Sequence, residues 1–433
     1  MKKSWMFLFV VALVILPYLM MYQPLLRAQS PSGQLPVPPR FFGMTTHWFN
    51  PWPMLEFAGL RLWNTQTSWA ALNPSEGVYD WTTLDNWLAL AKQHGATETI
   101  LTLAMTPQWA SSNPNDSTCR FGNGQCDPPA DLNPDGSGSD QHWKDYITAV
   151  ASHAKGQIRY WEIWNEPVNY FYWNGTFAQM VRMAKDARSI ILSIDPNALM
   201  LSPPNGASRP FGENWWKGYA ALGGLDYADV IALHGGGTTT CDYQPKASYF
   251  ITTVNNLRSI MATYHAQNKP IWDTETNWGA PNKNCFGDQD MQAAFLGQWY
   301  MFHRSMKIPR SYWFAYDDGT TGTLWDRTTG KLTKGGVAYG YVRDWMLGAT
   351  MTQDCSTSDN AIWTCGFSGP KGYRAQAIWD TNEKCRNGHC QTVNRTVDAT
   401  YTQYRTLDGK TITITNNQVP IGAKPIFLEN HNR

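Results

Sequence analysis

A chain of 433 residues is long enough for more than one domain. Its formal net charge of +1 supplies no basic patch, which argues against nucleic acid as a partner. Aromatic residues form 14% of the chain and include 22 tryptophans, an excess that suits a sugar-binding cleft because indole faces stack on pyranose rings. Most of those rings are nevertheless expected in the core.

The chain opens on Met1-Lys2-Lys3, followed by an almost wholly apolar run from Trp5 to Met21, with Ser4 before it and Pro17 within it. The run is about as long as the shortest spanning helices, ~17–18 residues. Leu26-Arg27-Ala28 offers a passable cleavage site. Residues 1–29 are therefore read as a signal peptide or an uncleaved membrane anchor. Either reading makes the protein secreted or periplasmic, or holds it to a membrane by this segment alone. Residues 30–39 are rich in Ser, Gly and Pro and read as a linker.

From residue 40 strand-like and helix-like segments alternate. Phe41-Phe42-Gly43-Met44 is the first strand and Gly59-Leu60-Arg61-Leu62-Trp63 the second. Leu84, Trp87, Leu88 and Ala91 fall on one face of a helix predicted over Thr83–His94, which Gly95 ends. Thr99–Leu103 is the third strand, a long loop covers Ser111–His142, and Tyr146–His153 looks helical. The fourth strand, Arg159-Tyr160-Trp161-Glu162-Ile163-Trp164, stops at Asn165-Glu166-Pro167, since proline cannot donate to a ladder. A helix follows over Phe177–Leu192. The remaining strands are Ala198–Ser202, Asp229–His234, Pro270–Glu275 and Ser311–Tyr316. Eight such units fit a (β/α)8 TIM barrel over residues 40–349, with its active site at the carboxyl ends of the strands.

Beyond Trp345 the amphipathic helices give way to alternating segments at Ala361–Phe367, Arg374–Trp379, Ala399–Arg405 and Thr411–Thr413. Asp408-Gly409 is a good hairpin turn. Residues 350–433 thus read as a C-terminal antiparallel β-sandwich, either a structural companion of the barrel or a glycan-binding module.

Eight cysteines fall in sequence-neighbour pairs: Cys119 with Cys126, Cys241 with Cys285, Cys355 with Cys365, and Cys385 with Cys390. An even count in an exported chain favours disulfides, and nearest-neighbour pairing is the expectation. No pair has the Cys-x-x-Cys spacing of a zinc site.

A carboxyl group at a strand end beside tryptophans is poorly solvated, so Glu166 is expected to have a raised pKa, as a general acid needs. The string Trp164-Asn165-Glu166-Pro167 after an apolar strand resembles the acid/base signature of clan A glycoside hydrolases. Glu275 ends another apolar strand three strand–helix units later, across the barrel mouth. Two facing carboxylates are what glycoside hydrolysis uses. The resemblance implies a retaining enzyme with Glu166 as acid/base and Glu275 as nucleophile. It also implies that Arg61 sits near the nucleophile and holds it ionised, that Asn165 bonds the sugar 2-hydroxyl, and that His234 lies near the carboxylates. The tyrosine that usually follows the histidine is replaced by Gly235-Gly236-Gly237, so Tyr243 or Tyr316 is expected to bond the nucleophile instead.

Glu162 and Asp273 share side-chain parity with the pair but lie deeper, where structural bonds to Arg or Trp N–H groups are expected. Asp317-Asp318 is placed to line a subsite. The loop from Asn133 to Asp140 hints at calcium without matching the full calcium-loop spacing. Trp48, Trp109, Trp278, Trp313 and Trp325, at or past strand ends, are candidate stacking platforms, as is Trp69. Thr106-Pro107-Gln108-Trp109-Ala110 resembles the turn after strand three in glycoside hydrolase family 39 and its relatives, and the barrel with its C-terminal β-sandwich is similar in layout.

The resulting expectation is a monomeric, exported, retaining glycoside hydrolase. It would cleave β-glycosidic bonds of an extracellular polysaccharide or oligosaccharide, endo-acting, by a two-glutamate double displacement. No metal or organic cofactor is required, since the carboxylates carry both steps. The alternatives are an exo-acting β-xylosidase-like glycosidase and a non-catalytic glycan-binding surface protein. The matched pair of glutamates argues against the last.

Overall fold

A computed structural model of the chain describes residues 35–206, 211–236, 247–279, 287–359 and 361–433. The expected signal or anchor lies outside the described residues, as do Tyr243, Cys241 and Cys285. Among the described residues no helix is long and apolar enough to cross a membrane.

Eight strands form one parallel sheet: β1 Phe42–Met44, β2 Gly59–Leu62, β3 Glu98–Leu103, β4 Tyr160–Ile163, β5 Leu199–Leu201, β6 Ile231–His234, β7 Ile271–Thr276 and β8 Ser311–Trp313. Their order is β5-β4-β3-β2-β1-β8-β7-β6. Parallel bridges Leu201↔Val230 and Asn205↔Leu233 bring the two ends together and close the barrel. Every residue of β2, β4 and β6 is buried, the mark of strands covered on both faces.

The crossovers carry α1 Trp69–Leu72, α2 Thr82–Gln93, α3 Gln141–His153, α4 Phe177–Ile194, α5 Phe211–Ala221, α6 Tyr249–Thr263 and α7 Gln289–Ser305, and α8 Lys334–Met346 follows β8. Strand and helix do not alternate at the start: among the described residues no helix joins β1 to β2, where Pro51 and Pro53 interrupt the segment. α3 begins well before the expected Tyr146, because Trp143 belongs to its buried face. α4 is opened by a reciprocal capping box between Thr176 and Gln179, which satisfies two otherwise orphaned N–H groups. β8 ends at Trp313 rather than Tyr316, since the Tyr316 amide turns away to the Thr45 carbonyl, 2.9 Å distant.

The C-terminal sheet is antiparallel and six-stranded, in the order Thr350–Thr357, Ile362–Ser368, Arg374–Asp380, Ile426–Glu429, Gln403–Arg405, Thr411–Thr413. Thr392–Thr396 pairs with Gln418–Gly422 as a separate layer. The hairpin expected at Asp408-Gly409 joins Gln403–Arg405 to Thr411–Thr413, and Gly409 takes the φ of +88° that the turn requires. The chain is therefore a TIM barrel followed by a β-sandwich.

α7 lies between the two units, which explains why all its residues from Asp290 to Ser305 are buried. Phe302 meets Trp363 and Trp379 edge-on at 4.9 and 5.4 Å, and Trp345 of α8 stacks on Phe427 at 5.2 Å. Each such ring contributes roughly 1.5–3 kcal/mol by burial. The contact is a continuous apolar core.

Disulfides join Cys119 to Cys126, Cys355 to Cys365 and Cys385 to Cys390, three of the four expected pairs. The fourth expected pair, Cys241 with Cys285, does not figure among the disulfides of the described residues, because both cysteines fall outside them. The three bonds point to an oxidising compartment, extracellular or periplasmic.

Candidate active site

The site is built where β4 ends. The strand stops at Ile163 because Trp164 turns into the left-handed region with φ +60°, and Glu166 repeats the turn with φ +42°. Each such residue costs on the order of 1–3 kcal/mol and persists only where its surroundings hold it. Here the Trp164 amide donates to the Leu103 carbonyl at 3.0 Å, its Nε1 donates to the Tyr172 carbonyl at 2.8 Å, and its ring meets Trp173 edge-on. The Asn169 amide donates back to the Glu166 carbonyl at 3.0 Å.

β6 and β7 supply the opposite wall. Their register shifts between Leu233 and His234, so that His234 pairs with Glu275 and both side chains project from the same face. Nδ1 of His234 lies 2.9 Å from Oε1 of Glu166. One oxygen of Glu166, one of Glu275 and one ring nitrogen of His234 all fall within 4.8 Å of one another.

Arg61 of β2 ties these strands together beneath the mouth. Its Nε donates to Oε2 of Glu162 at 2.7 Å, Nη1 to Oε2 of Glu275 at 2.8 Å, and Nη2 to Oδ1 of Asn165 at 2.8 Å. Thr102 also donates to Glu162, at 2.9 Å. Glu162 is thus the buried counter-ion of Arg61, as expected of the deeper carboxylates. Asp273 accepts from the Gly235 amide at 3.0 Å and Thr276 at 2.8 Å, and pairs with His303 at 2.7 Å.

The charge balance reverses one expectation. Burial pushes Glu166 up, but the hydrogen bond and charge of His234, the charge of Arg61 and the Asn169 amide outweigh it, and its pKa is lowered. Glu275 is raised: burial is the largest cause, the neighbouring Glu166 charge adds to it, and His234 and Arg61 only partly oppose. Burial depresses His234, yet Glu275 and Glu166 together raise it. Glu166 and His234, one hydrogen bond apart, are thus shifted in opposite directions, the carboxyl down and the imidazole up. The two carboxylates and the histidine titrate as one unit.

Of the expected site residues, the structure brings together Glu166, Glu275, Asn165, Arg61 and His234. Tyr316 does not reach Glu275: its hydroxyl accepts from the Met54 amide at 3.2 Å and its ring stacks on Trp325. Trp48 is 48% exposed beyond β1, with Arg327 over its ring. Trp109 is drawn elsewhere, its Nε1 donating to the Asn73 carbonyl at 2.9 Å and its ring meeting His142 edge-on. Trp278 is buried against Phe295 of α7, and Trp313 is buried with Nε1 donating to the Gly322 carbonyl. Trp69 is likewise core, stacked on Tyr146. Asp317 fastens the loop after β1, accepting from Thr46, the His47 amide and the Trp48 amide.

Two neighbours of the pair escaped the sequence reading. Asn169 donates from Nδ2 to Oε2 of Glu166 at 3.0 Å. Tyr172 lies close enough to both glutamates for their charges, after burial, to raise its hydroxyl. Both follow the strand-four motif within a single turn-rich segment, and that proximity was the available signal.

Glu166, His234 and Glu275 together offer three metal-ligand atoms, but the Arg61 guanidinium already holds Glu275, and a cation bound there would meet its charge. In the loop 131–140, Asp131 accepts from Ser139 and the Gln141 amide, and Asp135 from the Ser137 amide. One oxygen of Asp131 and one of Asp135 are thus taken up by the loop's own hydrogen bonds.

The family model described as Glycosyl hydrolases family 39 matches residues 70–317, a span that contains both glutamates. No curated protein matches the sequence. Among solved structures, a family 39 glycoside hydrolase from the gut symbiont Bacteroides cellulosilyticus WH2 aligns with a TM-score of 0.64 at 14% identity, over 92% of this chain and 81% of that one. A GH39 β-xylosidase from Caulobacter crescentus gives 0.63 at 15% identity, over 93% and 98%. A family 30 subfamily 8 xylanase from Clostridium acetobutylicum gives 0.59 at 13% identity, over 92% and 97%. At these identities the likeness is one of fold.

Proposed function

The chain belongs to glycosyl hydrolases family 39, and from that premise we propose that it is a retaining β-glycosidase in which Glu275 is the nucleophile and Glu166 the acid/base. The observation that carries this reading is the approach of the two carboxylates, with oxygens within 4.8 Å. Retaining pairs sit about 5–5.5 Å apart, whereas inverting pairs leave about 6.5–9.5 Å for a water between them.

In the first step a carboxylate oxygen of Glu275 attacks the anomeric carbon as Glu166 protonates the departing glycosidic oxygen. The C1–O bond to the leaving group breaks and a glycosyl ester to Glu275 forms. In the second step Glu166 takes a proton from water, which attacks C1 and releases Glu275. Arg61 keeps the attacking oxygen in place and favours its ionised form. Asn165, oriented by Arg61, is suited to bond the sugar 2-hydroxyl. His234 stores the proton that Glu166 delivers and recovers it in the second step.

Glu166 has a side chain 29% exposed and Glu275 one only 13% exposed. The more open carboxyl suits the group that must meet leaving group and water. The substrate is a β-linked polysaccharide or oligosaccharide outside the cytoplasm, cleaved within the chain. The β-xylosidase and xylanase among the structural neighbours make β-xylosides the first substrates to assay. Residues 350–433 act as a structural companion to the catalytic barrel of residues 40–349.

The test is product analysis on a panel of β-linked polysaccharides and aryl β-glycosides, with wild type beside Glu275→Ala. Products formed by the wild type and lost in the variant support the reading. Undiminished activity in the variant overturns it.

A further inference from the structure

Glu166 stands past the end of β4 and His234 ends β6, so their 2.9 Å hydrogen bond spans the intervening β5. At that level β5 no longer runs as a regular strand. It ends at Leu201 and continues as Ser202-Pro203-Pro204-Asn205, all four residues buried. Neither proline has an N–H to donate. The residues on either side of them carry the bonds to β6 instead. The Ser202 amide donates to the Val230 carbonyl at 3.0 Å, the Ala232 amide to Ser202 Oγ at 2.9 Å, and the His234 amide to the Asn205 carbonyl at 3.2 Å.

Asn205 also reaches toward β4. Its Oδ1 accepts from the Val168 amide at 3.1 Å, two residues beyond Glu166. One residue therefore holds both ends of the Glu166–His234 contact, one by its side chain and the other by its main chain. The turn that carries Glu166 needs such a tie. Glu166 has φ +42°, a conformation that persists only where its surroundings hold it, and Pro167 after it offers no N–H. Trp164 fixes the start of the turn to the Leu103 carbonyl of β3, and Asn169 closes on Glu166 itself. The bond from Val168 to Asn205 fastens the far end of the turn to the segment after β5.

Packing alone gives no reason for an asparagine here. Asn205 is fully buried, and its Nδ2 has no partner among the described residues. An orphaned buried donor is costly, and a leucine of about the same shape would avoid that cost. What the asparagine adds is the acceptor at Oδ1.

We propose that Asn205 is a positioning residue for the acid/base step: it sets the approach of Glu166 to His234, and so the aim of the proton at the departing glycosidic oxygen. It acts through those two side chains, not on the substrate. The proposal rests on the glycosidase reading and goes beyond it, giving a part in the acid/base step to the segment after β5. Burial and Arg61 lower the His234 pKa, whereas Glu275 and Glu166 raise it. Burial, Arg61 and Glu275 stay in place when Asn205 is changed, so a change in His234 reports on Glu166.

The experiment sets Asn205→Leu, which keeps the shape, and Asn205→Ala, which cannot clash, beside the wild type. His234 is titrated by NMR with labelled histidine. In parallel, kcat is compared for aryl β-glycosides with an activated and with a poor leaving group. His234 should titrate at lower pH in both variants, because Glu166 no longer raises it as strongly. For the poor leaving group kcat should fall about fivefold or more, the size of one lost hydrogen bond. For the activated one, which needs no acid, the loss should be about twofold at most. On a His234→Gln background the same substitutions should cost little more, because the contact they disturb is already gone. A His234 midpoint that is unchanged or higher overturns the proposal. Equal losses for both leaving groups, or full additivity with His234→Gln, also overturn it and leave the glycosidase reading standing. A lowered midpoint in a protein that cleaves no glycoside keeps Asn205 as the residue that positions the pair and sinks the glycosidase reading.

Discussion

Nη1 of Arg61 lies 2.8 Å from Oε2 of Glu275, while Nε of the same guanidinium lies 2.7 Å from the fully buried Glu162. One cation thus holds the proposed nucleophile and a fully buried carboxylate together. Replacing Arg61 by Met should lower kcat at least about 100-fold, since electrostatic positioning of this kind is worth several kcal/mol. It should also cost about 3–5 kcal/mol of stability, because Glu162 would be left as an unpaired buried charge. Urea unfolding and steady-state kinetics check the two effects. Arg61→Lys should recover part of the stability and little of the rate, since a point charge cannot bond three partners with the guanidinium's fixed geometry.

On the proposed mechanism Glu275 attacks as the ionised carboxylate, and its pKa is raised by burial and by the charge of Glu166. The acid limb of kcat/KM should therefore lie above the ordinary glutamate value of about 4.3. Glu166→Gln removes one of the raising causes, so the limb should move to lower pH. An aryl glycoside with an activated leaving group, which needs no acid assistance, allows that limb to be measured in the variant. A limb that stays in place would show that Glu166 does not act on Glu275.

His234 is raised by the two glutamates and stands 2.9 Å from Glu166. The alkaline limb should fall above the usual histidine value of about 6.5. In His234→Gln the proton store is lost, and kcat should fall about 10–100-fold for poor leaving groups, within the range of general-acid catalysis. Activated leaving groups should suffer much less. Equal loss for both kinds would assign His234 a purely structural part.

Asp140, at the start of α3, is fully buried with neither carboxylate oxygen bonded among the described residues. Burial first, then Asp186 and Asp131, push its pKa up to about 8. The folded state thus holds a proton that the unfolded chain releases near pH 4. Stability is fully present below that lower value and falls as pH rises toward 8. Asp140→Asn should raise Tm at pH 8 by at least about 2 °C, the equivalent of about 2 kcal/mol in a chain this size, and have less effect at pH 5. A destabilised variant at pH 8 would contradict the placement.

The sequence revealed the barrel because its strands are buried on both faces and read as short apolar runs. β2, β4 and β6 fall within a residue or two of their expected bounds. The cluster of Arg61, Asn165, Glu166, His234 and Glu275 was legible because each stands at a strand end, which the barrel topology collects at one mouth. The tryptophans were not legible. A ring past a strand end serves packing or sugar according to loop course, and Trp278, Trp313 and Trp69 turn inward against α7, Gly322 and Tyr146. Nor could the direction of the Glu166 shift be read from its neighbours in the chain. It depends on His234, which reaches Glu166 only through the register shift between β6 and β7. The left-handed turns at Trp164 and Glu166 were equally hidden, since neither residue type favours that conformation.

The most direct test of the central claim is to trap the covalent intermediate with an activated 2-deoxy-2-fluoro-β-glycoside of the sugar that the enzyme hydrolyses, and to map the labelled peptide by mass spectrometry. The account predicts one equivalent of label on Glu275, inactivation in step with labelling, and a first product of retained β configuration by proton NMR. Label on Glu166, or no label together with an α product, would contradict it.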